Sequence, residues 1–328
     1  MTIQLTIIGL NQIGLSIGLA LSKQTHQLRR VGHDRDSGLH APAEKMGAVD
    51  ETRLLLRDSA RGADVIVLCQ PAAQAIETIE VIIPDLKPEC VLLDTSSSPA
   101  AFLNAAARLL PANVFALSFV PALHPQYLEL NPLDEESARE DLFKDSTIAI
   151  SSLPSASSDA LQLATDLAAL LGAQALFADP HEISGLLAAS YALPQMAGAA
   201  LLQAVTTQPG WMEGQKFAGY PFSLATLPFQ TQPETQPLAA SLLLEKENNL
   251  RVLDNYLAAL SQLRAMLAEE RAADLETWLD DARTARADWL RARRTREYLP
   301  ASEKIEIPTL GQSFGRLLGL GKRKPKGQ

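Results

Sequence analysis

The chain has 328 residues, of which 47% are apolar and 20% are charged, and it carries a formal net charge of −9. This length allows two domains with a sizeable core, and the composition is that of a soluble globular protein. The negative charge argues against nucleic acid as a main partner, and no apolar run is expected to reach transmembrane length. No secretory leader precedes the first predicted strand, so we expect a cytoplasmic protein without a membrane partner.

The stretch from Ile3 to Asp34 predicts a strand, a glycine turn, a helix and a second strand. In such a unit the helix N-terminus directs unpaired N–H groups at a pyrophosphate, and glycines allow close approach. Gly9 and Gly14 occupy the first and third glycine positions of the motif G-x-G-x-x-G. Asp34 follows the second strand at the spacing where an acid accepts the ribose hydroxyls of NAD.

Asn11 occupies the second glycine position of this motif. Asparagine tolerates left-handed backbone angles, but its side chain intrudes where a pyrophosphate approaches, so weakened binding is expected. The pattern therefore predicts NAD binding through Gly9, Asn11, Gly14 and Asp34, while the neighbouring Arg35 leaves NADP open. A strand-helix-strand start without any ligand is the alternative.

Strands and helices then alternate along the chain. Strands are predicted at Asp64–Cys69, Cys90–Leu93, Val114–Leu117, Thr147–Ile150 and Ala175–Phe177, with helices at Ala41–Met46, Arg53–Ala60, Ala72–Ile83, Ala100–Leu110 and Asp159–Leu171. This alternation predicts an α/β domain over residues 1–178, with a Rossmann-type doubly wound parallel sheet. Cys69 and Cys90 lie in strand-like runs and are expected to be buried core residues rather than a disulfide or metal site.

Two stretches between these elements carry polar side chains. Asp94-Thr95-Ser96-Ser97-Ser98-Pro99 follows a predicted strand and is explained equally well as a helix cap or as part of a ligand site. Residues 118–145 are predicted to be irregular and contain His124. A loop of this length is usually functional or mobile.

After residue 178 the pattern is almost purely helical. Helices are predicted at His181–Val205, Leu238–Ala268 and Asp274–Arg294, with a loop or broken helix at Gln208–Pro237. Pro194 is expected to kink or divide the first of them. We expect an all-helical C-terminal domain over residues 179–296. Its broad apolar faces are typical of a dimer interface, with packing inside the chain as the alternative. Residues 297–328, ending in GKRKPKGQ, are expected to be a disordered tail with a basic end.

The chain resembles the prephenate and arogenate dehydrogenases from Ile3 to about Arg294. The resemblance is carried, in this order, by IIGLNQIGLSIGLAL, VGHDRD, GAVDE, ADVIVLCQP, LLDTSSSP, DLFKDSTIAI, ADPHE and LPQMAGAAL. It implies a dinucleotide-binding domain followed by a helical domain that forms a homodimer. The implied reaction is NAD(P)-dependent oxidative decarboxylation of a cyclohexadienol in tyrosine biosynthesis.

The resemblance also implies catalytic positions. Ser97 falls on the family's serine that positions the substrate hydroxyl. The family's base is a histidine in an H-P motif, and an alignment without gaps places Val120 there. His124, followed by Pro125, becomes the tentative base only if the loop slips by four residues. Otherwise it is a loop histidine without a role.

The substrate-binding positions depart further from the family pattern. The family motif S-H-L-P-H becomes Tyr191-Ala192-Leu193-Pro194-Gln195, so Gln195 stands at a histidine position and is the candidate there. The arginine of G-F-R-D is missing, and Lys216 is the candidate that replaces its charge without its fork. We therefore expect an NAD(P)-dependent dehydrogenase of this type or one acting on a related small hydroxy substrate. The alternative is a non-catalytic dinucleotide-binding homologue that senses NAD or serves as a partner subunit.

Overall fold

Strand order in the N-terminal half follows the doubly wound pattern. The computed structural model describes residues 2–24, 28–128, 137–229 and 235–296. Their strands are β1 Ile3–Ile8, β2 Leu28–His33, β3 Glu51–Thr52, β4 Val65–Leu68, β5 Val91–Asp94, β6 Phe115–Pro121, β7 Thr147–Ser152 and β8 Gln174–Phe177. They form one sheet in the order β3-β2-β1-β4-β5-β6-β7-β8, in which only the β6–β7 pair is antiparallel. The expected Rossmann-type sheet is confirmed, with an antiparallel step near one edge.

The α-helices of the described residues cover both faces of this sheet and form the C-terminal domain. Their bounds are α1 Gln12–Ala20, α2 His40–Lys45, α3 Leu56–Ala60, α4 Ala72–Ile82, α5 Pro99–Leu109, α6 Ser158–Leu170, α7 Pro180–Leu187, α8 Leu193–Thr206, α9 Trp211–Gly214, α10 Tyr220–Thr226, α11 Gln236–Leu244, α12 Lys246–Ala268 and α13 Ala272–Thr295. The predicted domain boundary at residue 178 lies between β8 and α7. The predicted tail, residues 297–328, lies outside the described residues.

Side-chain alternation along the central strands explains the two-sided core. Val65 and Val67 of β4 pack into one apolar cluster, whereas Ile66 and Leu68 pack into a second cluster. Successive residues of a strand point to opposite faces, so a continuous apolar run is stable only where helices cover both sides. The strand ends that lead into α1, α4 and α5 are thereby held at the same end of the sheet.

Strand β6 is longer than the sequence suggested. It continues through Pro121, so residues 118–121 belong to the sheet and not to the irregular stretch predicted from Ser118. Antiparallel pairing with β7 supports this extension, because Val120 lies opposite Ala149 and Pro121 opposite Ile148. Because the pairing partner β7 is distant in the sequence, no local pattern of residues indicates this extension.

Two predicted helices are interrupted. The helical run around Pro194 contains a π-helical segment, Ala188–Ala192, after which Pro194 lies in the first turn of α8. Proline lacks an N–H and clashes with the preceding turn, and a π-turn accommodates both effects. The single helix predicted at Leu238–Ala268 is wrong, since Glu245 (φ −104°, ψ 33°) separates α11 from α12.

The helical run Pro180–Thr206 is long and apolar enough to cross a membrane by length and composition, and only 22% of its most apolar window is buried. By this criterion the expectation that no apolar run reaches transmembrane length is wrong. A core helix of a soluble protein meets the same criterion. Two of its large apolar side chains, Leu186 and Tyr191, are exposed, whereas Ile183 and Ala188 are buried.

Candidate functional site

The loop between β1 and α1 has room for glycine alone at two positions. Gly9 has a φ of +100°, and a Cβ built on it would lie 2.3 Å from the carbonyl oxygen of Cys69. A Cβ on Gly14 would lie 2.1 Å from the carbonyl oxygen of Gly9. Side chains are excluded at both positions because the loop turns sharply and packs directly on the end of β4. This is the close approach that the glycine motif provides.

Asn11 occupies the N-terminus of α1 with its own side chain. Its Oδ1 accepts hydrogen bonds from the N–H groups of Ile13 and Gly14, each at 3.1 Å, and its Nδ2 donates to the carbonyl of Cys69 at 2.7 Å. These helix N–H groups are among those that a pyrophosphate would otherwise accept from. The expected intrusion therefore takes the form of a helix cap that competes with an anion.

Asp34 is held at the carboxyl end of β2 by backbone donors. Its Oδ2 accepts from the N–H of Leu10 at 2.7 Å, and its Oδ1 accepts from the N–H of Asp36 at 2.9 Å. A carboxylate has about four acceptor positions, so both oxygens retain capacity for two ribose hydroxyls. The side chain is fixed beside the glycine loop, as the predicted ribose contact requires.

A cavity of about 20 Å³ lies between the turn after β5 and the helical domain. It is lined by Ser97, Ser98, Ser184, Ala188, Tyr191, Ala192, Gln195, Leu238, Ser241, Leu242, Glu245 and Asn249. Two predicted site residues from different domains, Ser97 and Gln195, thus meet in one cavity. No lysine, arginine or histidine side chain is among its lining residues.

Serines of the helical domain cap two helices of the sheet domain at this cavity. Ser184 of α7 accepts from the N–H of Ala100 in α5 at 3.1 Å, and Ser241 of α11 accepts from the N–H of Ala73 in α4 at 3.3 Å. Ser98 is the N-cap residue of α5 but makes no capping hydrogen bond with its side chain. Helix capping therefore does not explain the serine run before Pro99.

Asp94, at the end of β5, is fully buried beneath the same turn. Burial raises the pKa of its carboxyl group to about 7, although hydrogen bonds from the hydroxyl and N–H of Ser96 act to lower it. A carboxylate in an apolar interior is disfavoured because it loses its hydration. Ser96 is thereby engaged with Asp94, whereas Ser97 faces the cavity.

A family model for the nucleotide-binding domain of prephenate dehydrogenase matches residues 17–176. The chain carries the nucleotide-binding domain of the prephenate dehydrogenase family. This match begins after the glycine loop, so it leaves out the position where Asn11 departs from the motif. No curated protein matches the chain in sequence at a significant level.

Solved structures of prephenate and arogenate dehydrogenases have the same fold. Prephenate dehydrogenase from Aquifex aeolicus, in complex with hydroxyphenyl propionate and NAD+, is 15% identical with a TM-score of 0.73, over 88% of this chain and 98% of that one. Synechocystis arogenate dehydrogenase is 20% identical with a TM-score of 0.63, over 88% of this chain and 100% of that one. At identities this low, the structural similarity establishes the shared fold alone.

His124, the tentative base, does not line the cavity. Its Nδ1 accepts from the N–H of Gln126 at 3.2 Å, and its ring packs edge-on against Tyr127. Val120, which stands at the family's histidine position, lies in β6 opposite Ala149. His124 is not among the residues that line the cavity with Ser97, and its catalytic role stays a prediction.

The two predicted substrate-binding residues are placed differently. Gln195 is buried, lines the cavity and donates from Nε2 to the carbonyl of Tyr191 at 3.3 Å. Lys216 is exposed, pairs with Glu213 at 2.5 Å and does not line the cavity. The geometry brings Gln195 together with Ser97 but leaves Lys216 apart.

Sequence reasoning missed Ser184, Ser241, Glu245 and Asn249 at this site. Ser184 follows the ADPHE segment that carries the family resemblance, so its place near a functional turn had a weak signal. Glu245 and Asn249 lie in a stretch with continuous helical periodicity. The helix break that turns Glu245 towards the cavity has no glycine or proline to announce it.

Proposed function

We propose that this protein is an NAD(P)-dependent dehydrogenase of the prephenate and arogenate dehydrogenase type that oxidises a small hydroxy substrate. The observation that carries the proposal is the meeting of Ser97 and Gln195 in one cavity beside a dinucleotide-binding fold. A bound nicotinamide ring supplies the hydride acceptor. The close-packed Gly9 and Gly14, and the oriented Asp34, fit the pyrophosphate and ribose of that cofactor.

The chain's own residues have limited roles in this proposal. Asp34 accepts the ribose hydroxyls, which favours NAD, and Ser97 positions the hydroxyl group to be oxidised. In the family reaction the substrate also loses its ring carboxylate as carbon dioxide. The cavity offers no cationic side chain for a second carboxylate. A substrate less anionic than prephenate is therefore the better candidate, because an unpaired buried carboxylate is costly.

A paired measurement tests this proposal. NAD should raise the melting temperature of the purified protein by mass action, and NADH should form with arogenate, prephenate or a related hydroxy substrate. Asp34→Ala should abolish the shift caused by NAD, whereas Asp36→Ala, at the next acid along the chain, should retain it. A shift that survives in Asp34→Ala contradicts the assigned ribose contact, and no shift with either NAD or NADP contradicts the proposal.

A non-catalytic dinucleotide-binding homologue is the second candidate. It is favoured by the position of His124 outside the cavity and by Val120 at the family's histidine position. In this case NAD shifts the melting temperature, but no cyclohexadienol or hydroxy substrate yields NADH above background.

We also propose that the protein is a cytoplasmic homodimer without a nucleic-acid or membrane partner. The helical domain exposes large apolar side chains on several helices, including Leu224, Leu243, Leu257 and Leu267. An apolar surface of this kind is typical of a subunit interface.

A further inference from the structure

The turn between β5 and α5 is held on both sides of Ser97, the residue that faces the cavity. Before it, Thr95 donates from its N–H and its hydroxyl to the carbonyl of Leu68, at 3.0 and 3.1 Å. After it, the N–H of Ala100 donates to the hydroxyl of Ser184 in the helical domain at 3.1 Å. Among the described residues, the side chain of Ser97 makes no hydrogen bond, and it lines the cavity. Its hydroxyl is therefore available to a ligand, while the backbone around it is fixed.

Asp94 and Ser96 support this turn from the inside. Oδ2 of Asp94 accepts from the Ser96 hydroxyl at 2.6 Å, and Oδ1 accepts from the Ser96 N–H at 3.2 Å. The Ser96 hydroxyl accepts in turn from the N–H of Ser98 at 3.4 Å. These bonds link the residues before and after Ser97 to one carboxyl group at the end of β5. A rotation of the turn that displaces Ser97 has to break at least one of them.

The position of Asp94 is costly for the fold, which favours a functional role. The residue is fully buried and lies opposite Ser118 of β6, whose hydroxyl is buried and has no hydrogen-bond partner in the described structure. Burial also raises the pKa of the Asp94 carboxyl group to about 7. Polar groups in an apolar interior are destabilising unless they are paired, and native structures seldom keep them without a reason. Capping of α5 is not that reason, because Ser184 supplies the acceptor.

We propose that Asp94 and Ser96 are positioning residues, which hold the Ser97 hydroxyl at a fixed place in the cavity. This inference rests on the proposed function, in which Ser97 positions the hydroxyl group that is oxidised. Hydride transfer is sensitive to such placement, because a displacement of about 1 Å can reduce a rate roughly a hundredfold. Asp94 and Ser96 thereby act on turnover without contacting the substrate.

Isosteric changes at Asp94 separate hydrogen bonding from packing. Asp94→Asn keeps an acceptor for the Ser96 N–H and a donor for its hydroxyl, as the protonated carboxyl group does. Asp94→Leu fills a similar space and makes neither bond, and Ser96→Ala removes the link to Ser98. Ser146→Ala is the matched control, because Ser146 is also a buried serine and its hydroxyl donates to the carbonyl of Phe143 outside the turn.

In the active enzyme these variants should separate kcat from KM. Asp94→Leu and Ser96→Ala should lower kcat for NADH formation with arogenate or prephenate at least about tenfold, because the hydroxyl is misplaced. The KM for NAD should be retained, since the ribose contact at Asp34 is untouched. Asp94→Asn should restore most of the kcat that Asp94→Leu loses, and Ser146→Ala should keep the kcat of the wild type.

A thiol at position 97 tests the placement without turnover. The chain has two cysteines, and burial raises the pKa of the Cys69 and Cys90 thiols to about 12, so neither competes for an alkylating reagent. Iodoacetamide should react slowly with Ser97→Cys, because the cavity has room for only one water-sized group. Adding Ser96→Ala should raise the rate at least about tenfold by letting the turn open. Adding Ser146→Ala should leave the rate unchanged.

Three results overturn the positioning role. They are a wild-type kcat in Ser96→Ala, equal losses of kcat in Asp94→Leu and Asp94→Asn, and an alkylation rate of Ser97→Cys that Ser96→Ala does not change. If no substrate yields NADH, the proposed function fails, and the alkylation rates alone decide whether the turn holds Ser97. Asp94→Leu should then raise the rate in Ser97→Cys, and Asp94→Asn should not.

Discussion

Asn11 limits access to the N–H groups at the N-terminus of α1, where a pyrophosphate would bind. Its side chain caps α1 and also donates to the carbonyl of Cys69, so it is held from both ends. For a pyrophosphate to reach the N–H groups of Ile13 and Gly14, this cap has to give way. The energetic cost of displacing it reduces the affinity for a dinucleotide.

Replacing Asn11 with glycine should therefore strengthen NAD binding. Glycine restores the usual motif and frees two N–H donors, so we expect about tenfold tighter binding by titration calorimetry. The unliganded protein should lose only a few tenths of a kcal/mol, because glycine is itself an acceptable N-cap. Asn11→Asp keeps the cap and adds a negative charge, so it should weaken binding. Unchanged affinity in Asn11→Gly would exclude Asn11 as a competitor of the pyrophosphate.

Asp94 should make stability fall as the pH rises. Its pKa is about 7 in the folded protein against 3.8 without burial, so the folded state binds more protons between these values and loses stability across them. Asp94→Asn cannot ionise, and its melting temperature relative to the wild type should be higher at pH 8 than at pH 5. The corresponding change in the free energy of unfolding should be on the order of a few kcal/mol, because each pKa unit is about 1.4 kcal/mol. A stability difference between Asp94→Asn and the wild type that stays constant from pH 5 to pH 8 would contradict the raised pKa of Asp94.

At the scale of elements, three helix N-termini at the carboxyl edge of the sheet are capped by side chains. Asn11 caps α1 locally, whereas α4 and α5 receive Ser241 and Ser184 from the helical domain. N–H groups in the first turn of a helix have no acceptor within the helix. Here the helical domain supplies two acceptors, the hydroxyls of Ser241 and Ser184. These contacts help to position the helical domain on the sheet domain and close the cavity between them.

Removing the Ser184 hydroxyl should therefore destabilise the protein more than an ordinary serine substitution. Ser184→Ala leaves the N–H of Ala100 without its acceptor and Oε1 of Glu245 without the Ser184 donor, at a cost of about 1–2 kcal/mol of unfolding free energy in urea. Ser190 on the same helical run is exposed and donates only to the carbonyl of Leu186. Ser190→Ala should cost less than about 0.5 kcal/mol. Equal effects of the two substitutions would contradict a capping role for Ser184.

At the scale of the whole molecule, the sheet domain is well packed and the helical domain is not. Fully buried apolar residues concentrate on the two faces of the sheet, whereas α12 exposes Leu250, Leu257, Leu260 and Leu267. These four lie within roughly a quarter turn of one another around the helix. A second copy of the chain would cover this stripe.

A charge within this stripe should dissociate the proposed homodimer. Leu257→Glu should shift the mass measured by light scattering towards that of one chain, since burying an unpaired carboxylate in an apolar interface is costly. Gln262→Glu adds the same charge on another face of α12 and should leave the mass unchanged. A wild type that is already monomeric would rule out the homodimer.

The sequence and the structure agree where short-range patterns determine the outcome. The glycine loop, the alternation of strands and helices, and the burial of Cys69 and Cys90 followed from local periodicity and spacing. The π-turn before Pro194, the extension of β6 and the break at Glu245 did not. Each of these depends on a partner that is distant in sequence or on how several helices pack.

The sequence by itself determined the fold class and the dinucleotide-binding motif, because both depend on residue periodicity and on a few glycines with no substitute. Only the tertiary structure decided that Ser97 and Gln195 share a cavity, that His124 and Lys216 stay outside it, and that Glu245 and Asn249 face it. The physical reason is that a site between domains is formed by side chains separated by up to about 150 residues. Their approach is set by helix packing and by caps such as Ser184, not by any local pattern.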